Sequence, residues 1–119
     1  MDPEQARGRL VAERAEIRES LGLVEESARE DREAETAGDP HDRGDEAQPL
    51  TAEYTDDAIA ESLRDRLDRV ERALHRISEG TWGRSVRSGV PIPPERLEAD
   101  PAADLTVEEA AEQERAFGG

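Results

Sequence analysis

Two apolar stripes at heptad spacing constrain the fold of this chain more than any other feature. The first stripe consists of Leu10, Ile17, Leu21, Val24 and Ala28. The second stripe consists of Leu63, Leu67, Val70, Leu74 and Ile77. Steps of three, four and seven residues place each stripe along one side of a helix. The segment 37–50 between the stripes is rich in Gly, Pro and Asp, which break helices and turn the chain.

The two stripes also mirror each other along the chain. The residue numbers sum to 87 or 88 in five couples: Leu10 with Ile77, Ile17 with Val70, Leu21 with Leu67, Val24 with Leu63, and Ala28 with Ile59. A constant sum is what two antiparallel helices in contact require. The pattern therefore predicts an antiparallel coiled-coil hairpin that folds back near Arg43 and Gly44.

Capping residues indicate where the helices begin and end. Asp2 and Gln5 flank a first-turn proline and form a capping-box pair at the start of the first helix. The second helix is expected to begin near Thr51, or at Asp45, and to stop at Gly80. A third, short helix is expected over residues 107–117. Four prolines between residues 80 and 105 predict loops and short extended pieces there.

Composition limits the size of any core. Only 34% of the 119 residues are hydrophobic and 39% are charged, which suits a hairpin with a small lobe better than one large core. We therefore predict a mainly α protein, with a coiled-coil hairpin at residues 1–79, an acidic tip at 37–50, and a small lobe with a C-terminal helix at 80–119. The lobe is expected to pack around Trp82, Val86, Val90, Ile92, Leu97, Leu105 and Val107.

Charge and motif content restrict the function. The net charge is −15, and residues 25–57 alone carry 13 acids against 3 arginines, which disfavours direct DNA binding and favours a basic protein partner. No catalytic constellation or Gly-rich phosphate loop occurs, so the chain is not expected to be an enzyme. The N-terminus has no apolar run, which predicts a cytoplasmic protein without a membrane span. We expect a monomer.

The segment after Gly80 has the spacing of a zinc ribbon without its ligands. Cysteines at Ser85, Ser88, Thr106 and Glu109 would give C-x2-C-x17-C-x2-C, but the chain contains no cysteine. Hydroxyl groups stay protonated near neutral pH, and one carboxylate does not replace four thiolates. We therefore expect no metal and no cofactor. Thr106 and Glu109 instead have the spacing of a capping box, and the two serines that of a polar turn.

Residues around these positions carry a specific resemblance to the DksA/TraR family of transcription regulators. The matching residues are Trp82, Gly83, Gly89, Ile92, residues 96–99, Pro101 and residues 103–105. The resemblance implies RNA polymerase as the partner, with the hairpin tip entering the secondary channel to modulate initiation. Asp39 and Asp42 match the two acids of the family's D-x-x-D-x-A tip, and Gly44 stands in place of its alanine.

Two alternatives stay open at this point. The tip residues also suit ordinary turn chemistry, and an acidic hairpin would suit another basic protein partner as well as polymerase. Some members of the family respond to guanosine tetraphosphate through basic residues at the hairpin base and around the finger. Arg69 keeps a basic residue at one such position, whereas Asp100 and Ala110 replace two others. These departures predict a weak response to the nucleotide or none.

Overall fold

The described part of the chain folds into four helices. The computed structural model describes the backbone of residues 1–37 and 48–118, and the side chains of residues 1–34 and 55–116. The helices are α1 (Pro3–Ala37), α2 (Gln48–Glu79), α3 (Pro94–Ala99) and α4 (Val107–Gly118). Across the described ranges, extended pairing is limited to one bridge between Arg84 and Pro91. The predicted mainly α class is thus confirmed.

Two compact units divide the chain. One contains Met1–Arg14 with Asp68–Gly119, and the other contains Ala15–Leu67. The beginning of α1 therefore packs with the end of α2, as an antiparallel hairpin requires. In the described part of the chain, no helix combines the length and the apolar character that crossing a bilayer would need.

The outer ends of the hairpin helices have the predicted caps. The Asp2 amide donates to Gln5 Oε1 at 3.1 Å, and the Gln5 amide donates to Asp2 Oδ1 at 2.8 Å. At the end of α2, Gly80 has a φ of 79°, a conformation that favours glycine. The Gly80 amide donates to the Ile77 carbonyl, and the Thr81 amide donates to the Arg76 carbonyl at 2.9 Å. These two bonds form a Schellman motif, which satisfies carbonyls that the helix end leaves open.

The structure refines the expected start of α2 and adds one helix that was not expected. α2 begins at Gln48, three residues before Thr51, with Pro49 in its first turn where a missing amide costs nothing. The short helix α3 was not predicted, because the four prolines were taken to leave only loops and short extended pieces between residues 80 and 105. Pro94 is instead the first residue of α3, where its fixed φ suits a helix start.

The seam of the hairpin follows the predicted stripes with one correction. Leu10 and Val70 are fully buried, and Ile17, Ala28 and Ile77 are also buried. Leu21, Val24, Leu63, Leu67 and Leu74 are half-buried.

The correction concerns the predicted pairing of Ala28 with Ile59. Ile59 is 42% exposed, and the neighbouring Ala60 is buried instead. The buried position on α2 is therefore one residue later than the constant sum of 87 predicts. Nearby, Arg64 Nη2 lies 2.8 Å from Glu25 Oε1, an ion pair whose numbers sum to 89 and which therefore agrees with an antiparallel register.

The lobe has a smaller core than the sequence suggested. Ile92, Leu97 and Ala103 are buried together, with Trp82 packed against them as predicted. Val86, Val90 and Val107 were expected inside but are 57%, 46% and 58% exposed.

The complete burial of Leu10 gives a test of the seam. Leu10→Ala should lower the free energy of unfolding by about 2–5 kcal/mol, because it leaves a cavity between the helices. Leu21→Ala should cost less, since Leu21 is half-buried. Urea unfolding followed by circular dichroism measures both effects.

Leu23→Ala is the matched control on the same helix. Leu23 is 62% exposed, so its loss should change stability by no more than about 0.5 kcal/mol. Equal costs at positions 10 and 23 would contradict the assignment of the seam.

Candidate functional site

Four polar residues meet at the positions where the zinc-ribbon spacing would place cysteines. We call Ser85, Ser88, Thr106 and Glu109 the polar quartet. Thr106 precedes the first turn of α4, and Glu109 lies within that turn. The Thr106 amide donates to Glu109 Oε1 at 2.9 Å, and the Glu109 amide donates to Thr106 Oγ1 at 3.2 Å. The predicted capping box is therefore confirmed.

The two serines organise the other half of the quartet. Ser85 is only 4% exposed, and its Oγ accepts the amides of Arg87 at 3.1 Å and of Ser88 at 3.2 Å. The Gly89 amide donates to the Ser85 carbonyl at 2.9 Å, and Gly89 takes a φ of 77° to close the turn. The prediction that these serines hydrogen-bond the backbone of a turn is confirmed.

The carboxylate of Glu109 joins the two halves. Its pKa falls from 4.5 to about 2, first because the Thr106 amide donates to it, and then because the Ser85 and Ser88 hydroxyls donate to it. Donors that bond the charged form favour ionisation over protonation. One ionised carboxylate thus connects the serine turn to the start of α4, across 24 residues of sequence.

Further hydrogen bonds fix the serine turn against the rest of the lobe. The Val86 amide donates to the Asp104 carbonyl at 2.9 Å, and Arg87 Nη1 lies 3.3 Å from Glu112 Oε2 on α4. Trp82 Nε1 donates to the Pro101 carbonyl at 2.8 Å, which satisfies the polar atom of a half-buried ring.

A cavity of about 750 Å³ lies between the end of α2, α3 and α4. We call it the α2–α4 pocket. It is lined by Arg69, Arg72, Val86, Arg96, Asp100, Ala102, Ala103, Asp104, Leu105, Ala110, Gln113 and Glu114. The three positions that the sequence singled out for the nucleotide response, Arg69, Asp100 and Ala110, therefore line one pocket.

The chain is similar to known proteins over most of its length. It is 34% identical over 101 residues to the RNA polymerase-binding transcription factor DksA of Caulobacter vibrioides, which covers 80% of this chain and 70% of that protein. The chain belongs to the DksA family. No protein-family model matches it.

Two other comparisons also found similar proteins. General stress protein 16O of Bacillus subtilis is 43% identical over 65 residues, which is 55% of this chain. The chain spans only 40% of the length of that relative. The solved structure of transcription factor DksA2 from Pseudomonas aeruginosa has the same fold, with a TM-score of 0.77 over 98% of this chain and 86% of that one, at 24% identity.

The polar quartet does not suit the zinc ion that a ribbon of this family's spacing would hold. Three of its members are hydroxyls, which do not ionise near neutral pH, and zinc in structural sites takes thiolate or imidazole ligands. The one carboxylate already accepts hydrogen bonds from the other three residues. Among the described residues, no group of three or more His, Asp or Glu side chains is arranged to hold a metal ion.

Asp39, Asp42 and Gly44 of the predicted tip fall outside the described residues. His75 is exposed on α2, with its Nε2 3.8 Å from Glu79 Oε1.

Sequence reasoning missed Arg76 on α2. Burial lowers its pKa most, and the charge of Arg72 lowers it further, whereas the charge of Asp104 raises it. Its Nη2 is buried without a hydrogen-bond partner among the described residues. Arg76 directly precedes the seam residue Ile77 in sequence. This position next to the apolar stripe is the one sequence signal that could have indicated its burial.

The depressed pKa of Glu109 predicts an acid-sensitive lobe. The carboxylate's contribution to stability is present above about pH 5 and is lost as the pH falls from the ordinary value of 4.5 towards about 2. Glu109→Gln should therefore destabilise the lobe at pH 6 and have a smaller effect at pH 3. The fluorescence of Trp82, the one tryptophan in the chain, follows unfolding of the lobe in urea.

Glu108→Gln provides the control for this experiment. Glu108 is exposed in the same helical turn, so its substitution removes the same charge without touching the quartet. If the two variants lose equal stability at both pH values, the hydrogen bonds of Glu109 do not hold the lobe.

Metal analysis gives an independent test of the quartet. We expect no stoichiometric zinc in the purified protein, and no change in its melting temperature when a chelator is added, because the quartet lacks thiolates. Elemental analysis and thermal unfolding with and without chelator provide the measurements. One zinc per chain would contradict this reading of the site.

Proposed function

We propose that this chain binds RNA polymerase and modulates transcription initiation by inserting its hairpin tip into the secondary channel. Membership of the DksA family carries the proposal, since the matched region includes 101 residues of a relative named for polymerase binding. The chain acts by binding and not as an enzyme. Its partner is a protein, and it works as a monomer in the cytoplasm without contacting DNA directly.

The charge of the hairpin supports this role. The residues of unit Ala15–Leu67 are strongly acidic, and the chain as a whole carries a net charge of −15. Such a surface is repelled by nucleic-acid phosphates and attracted by a basic protein channel. Acidic side chains delivered near a metal-dependent active site can bias basic groups there without taking part in the reaction.

A competition experiment tests polymerase binding. Purified polymerase is incubated with a labelled DksA from a relative, and this chain is added at increasing concentration. Displacement of the label supports a shared site in the secondary channel. If the chain neither displaces the label nor co-purifies with polymerase, the rival function holds, in which the acidic hairpin docks on another basic protein.

The tip residues are expected to act after docking. Asp39→Asn and Asp42→Asn keep side-chain size and turn propensity but remove the charge. Affinity for polymerase should change little, because most of the contact would lie along the hairpin and the lobe. The effect on the lifetime of the promoter open complex should fall sharply. If the lifetime of the open complex is unchanged when both acids are neutralised, the tip is only a turn and has no regulatory role.

Gly44→Ala is the companion variant. It restores the residue of the family's tip and reduces the freedom of the unfolded loop, by about 0.4–1 kcal/mol where the backbone accepts a side chain. We expect a stronger effect on open-complex lifetime at similar affinity.

The response to guanosine tetraphosphate should be largely absent. Asp100 places a negative charge in the α2–α4 pocket, and Ala110 adds no positive charge there. We expect transcription with this protein to be the same with and without the nucleotide, using a polymerase whose other nucleotide site is disabled. The double variant Asp100→Arg with Ala110→Lys should gain a response, because it supplies two donors for phosphate oxygens.

Asp100→Asn separates charge from local structure in this test. Asp100 Oδ1 accepts the Ala102 amide at 3.0 Å, and asparagine keeps an acceptor at that position. A strong nucleotide response of the unmodified protein would contradict the proposal for this pocket.

A further inference from the structure

The C-terminal helix α4 differs from the two long helices in how little of it is buried. Its described side chains are those of residues 107–116, and none of these is buried. Glu109, Ala110 and Ala111 are half-buried, and the rest are exposed. By contrast, α2 buries Val70 completely within the same compact unit. The hydrophobic effect therefore contributes little to holding α4 in place.

Polar contacts join α4 to the serine turn. The Glu109 carboxylate accepts hydrogen bonds from the hydroxyls of Ser85 and Ser88. Arg87 Nη1 lies 3.3 Å from Glu112 Oε2 and donates to the Glu109 carbonyl at 3.5 Å. We call Arg87 and Glu109 the α4 latch, because each of them connects the turn to the helix.

The latch is weak for two physical reasons. The side chains of Arg87 and Glu112 are 53% and 58% exposed, and an exposed ion pair contributes little free energy and is screened by salt. In addition, α4 has 12 residues, a length at which an isolated helix is marginal in water. A helix of this length loses its structure when it leaves its support, so undocking and melting occur together.

The same helix forms one wall of the α2–α4 pocket. Ala110, Gln113 and Glu114 line the pocket from α4, whereas Arg69 and Arg72 line it from α2. Detachment of α4 therefore opens the pocket along that wall.

We propose that α4 is a lid of the α2–α4 pocket, which detaches and melts as a unit while the base of the hairpin and the rest of the lobe stay folded. The latch residues Arg87 and Glu109 set how often the lid opens. Because Arg87 pairs with an exposed carboxylate, the open population rises with ionic strength. Opening widens the access to a cavity of about 750 Å³.

Hydrogen exchange of the intact chain, measured by mass spectrometry, tests whether α4 opens by itself. After correction for intrinsic rates, the amides of residues 110–116 should be at least about tenfold less protected than those of α2 around Val70 and Ala73, because local opening costs less free energy than global unfolding. Leu10→Ala should lower the protection of the α2 amides and leave that of α4 unchanged, since the lid opens while the seam stays closed.

Arg87→Gln tests the latch. Exchange of residues 110–116 should become about threefold to tenfold faster, while exchange of α2 does not change. Arg84→Gln is the matched control, because Arg84 Nη1 donates to the Gly89 carbonyl at 3.1 Å within the serine turn. This control removes the same charge and should leave α4 unchanged.

Salt separates an electrostatic latch from a merely structural role of Arg87. Raising the salt concentration from about 0.05 M to about 0.5 M should speed the exchange of α4 in the unmodified chain. The same change should have a smaller effect in Arg87→Gln, in which the ion pair is already absent.

Thiol labelling connects the opening to the pocket. The chain contains no cysteine, so a single introduced cysteine reports on one position. Ala110 lines the pocket and is half-buried, whereas Ala116 is exposed on the same helix. A neutral maleimide should label Ala110→Cys more slowly than Ala116→Cys. Adding Arg87→Gln should accelerate labelling at position 110 and leave labelling at position 116 unchanged.

Four results would overturn the proposal. They are equal protection of α4 and α2, an equal loss of protection in both helices on Leu10→Ala, equal effects of Arg87→Gln and Arg84→Gln on α4, and unchanged labelling at position 110 in Arg87→Gln. These measurements contain no polymerase, so their outcome is independent of whether the chain regulates transcription.

Discussion

The apolar seam between α1 and α2 is the contact on which the rest of this structure depends. With 34% hydrophobic residues, the chain has few apolar side chains left to build a second core, and the cluster of the lobe is small. Leu10, Val70 and Ala73 have no measurable exposure, and they lie in the unit that also contains the lobe. Arg9 Nη1 in the same unit donates to the Glu98 carbonyl at 2.8 Å, which links the beginning of α1 to α3. Loss of the seam would therefore remove the support of the lobe as well as the hairpin.

Periodicity and capping predicted the parts of the fold that depend on local sequence. The caps at Asp2 and Thr106 and the stop at Gly80 were predictable because each satisfies backbone groups within a few residues. The helix α3 was missed because Pro94 both breaks and starts helices, and only the surrounding packing decides which. The exposure of Val86, Val90 and Val107 was missed because an apolar residue type does not determine on which side of a short loop or of a helix start it lies.

The candidate site, like the fold, was only partly predictable from the sequence. The meeting of the four quartet residues was predictable from ribbon spacing, since that spacing already demands proximity. The role of Glu109 was not predictable. Its carboxylate accepts hydrogen bonds from three residues, and this depends on side-chain directions that the spacing does not determine. Likewise, Arg69, Asp100 and Ala110 were identified one by one, and only the fold shows that they line a single pocket together with Asp104 and Arg72.

The quartet also changes what controls the folding of the lobe. In a ribbon closed by thiolates, metal binding is coupled to folding, so by mass action the folded fraction follows the concentration of available zinc. Here the linking group is a carboxylate encoded in the chain, at position 109. Its effective concentration is set by the chain itself and does not vary with the surroundings. We therefore expect the lobe to reach the same folded population in metal-poor and metal-rich conditions, without competing with other proteins for zinc.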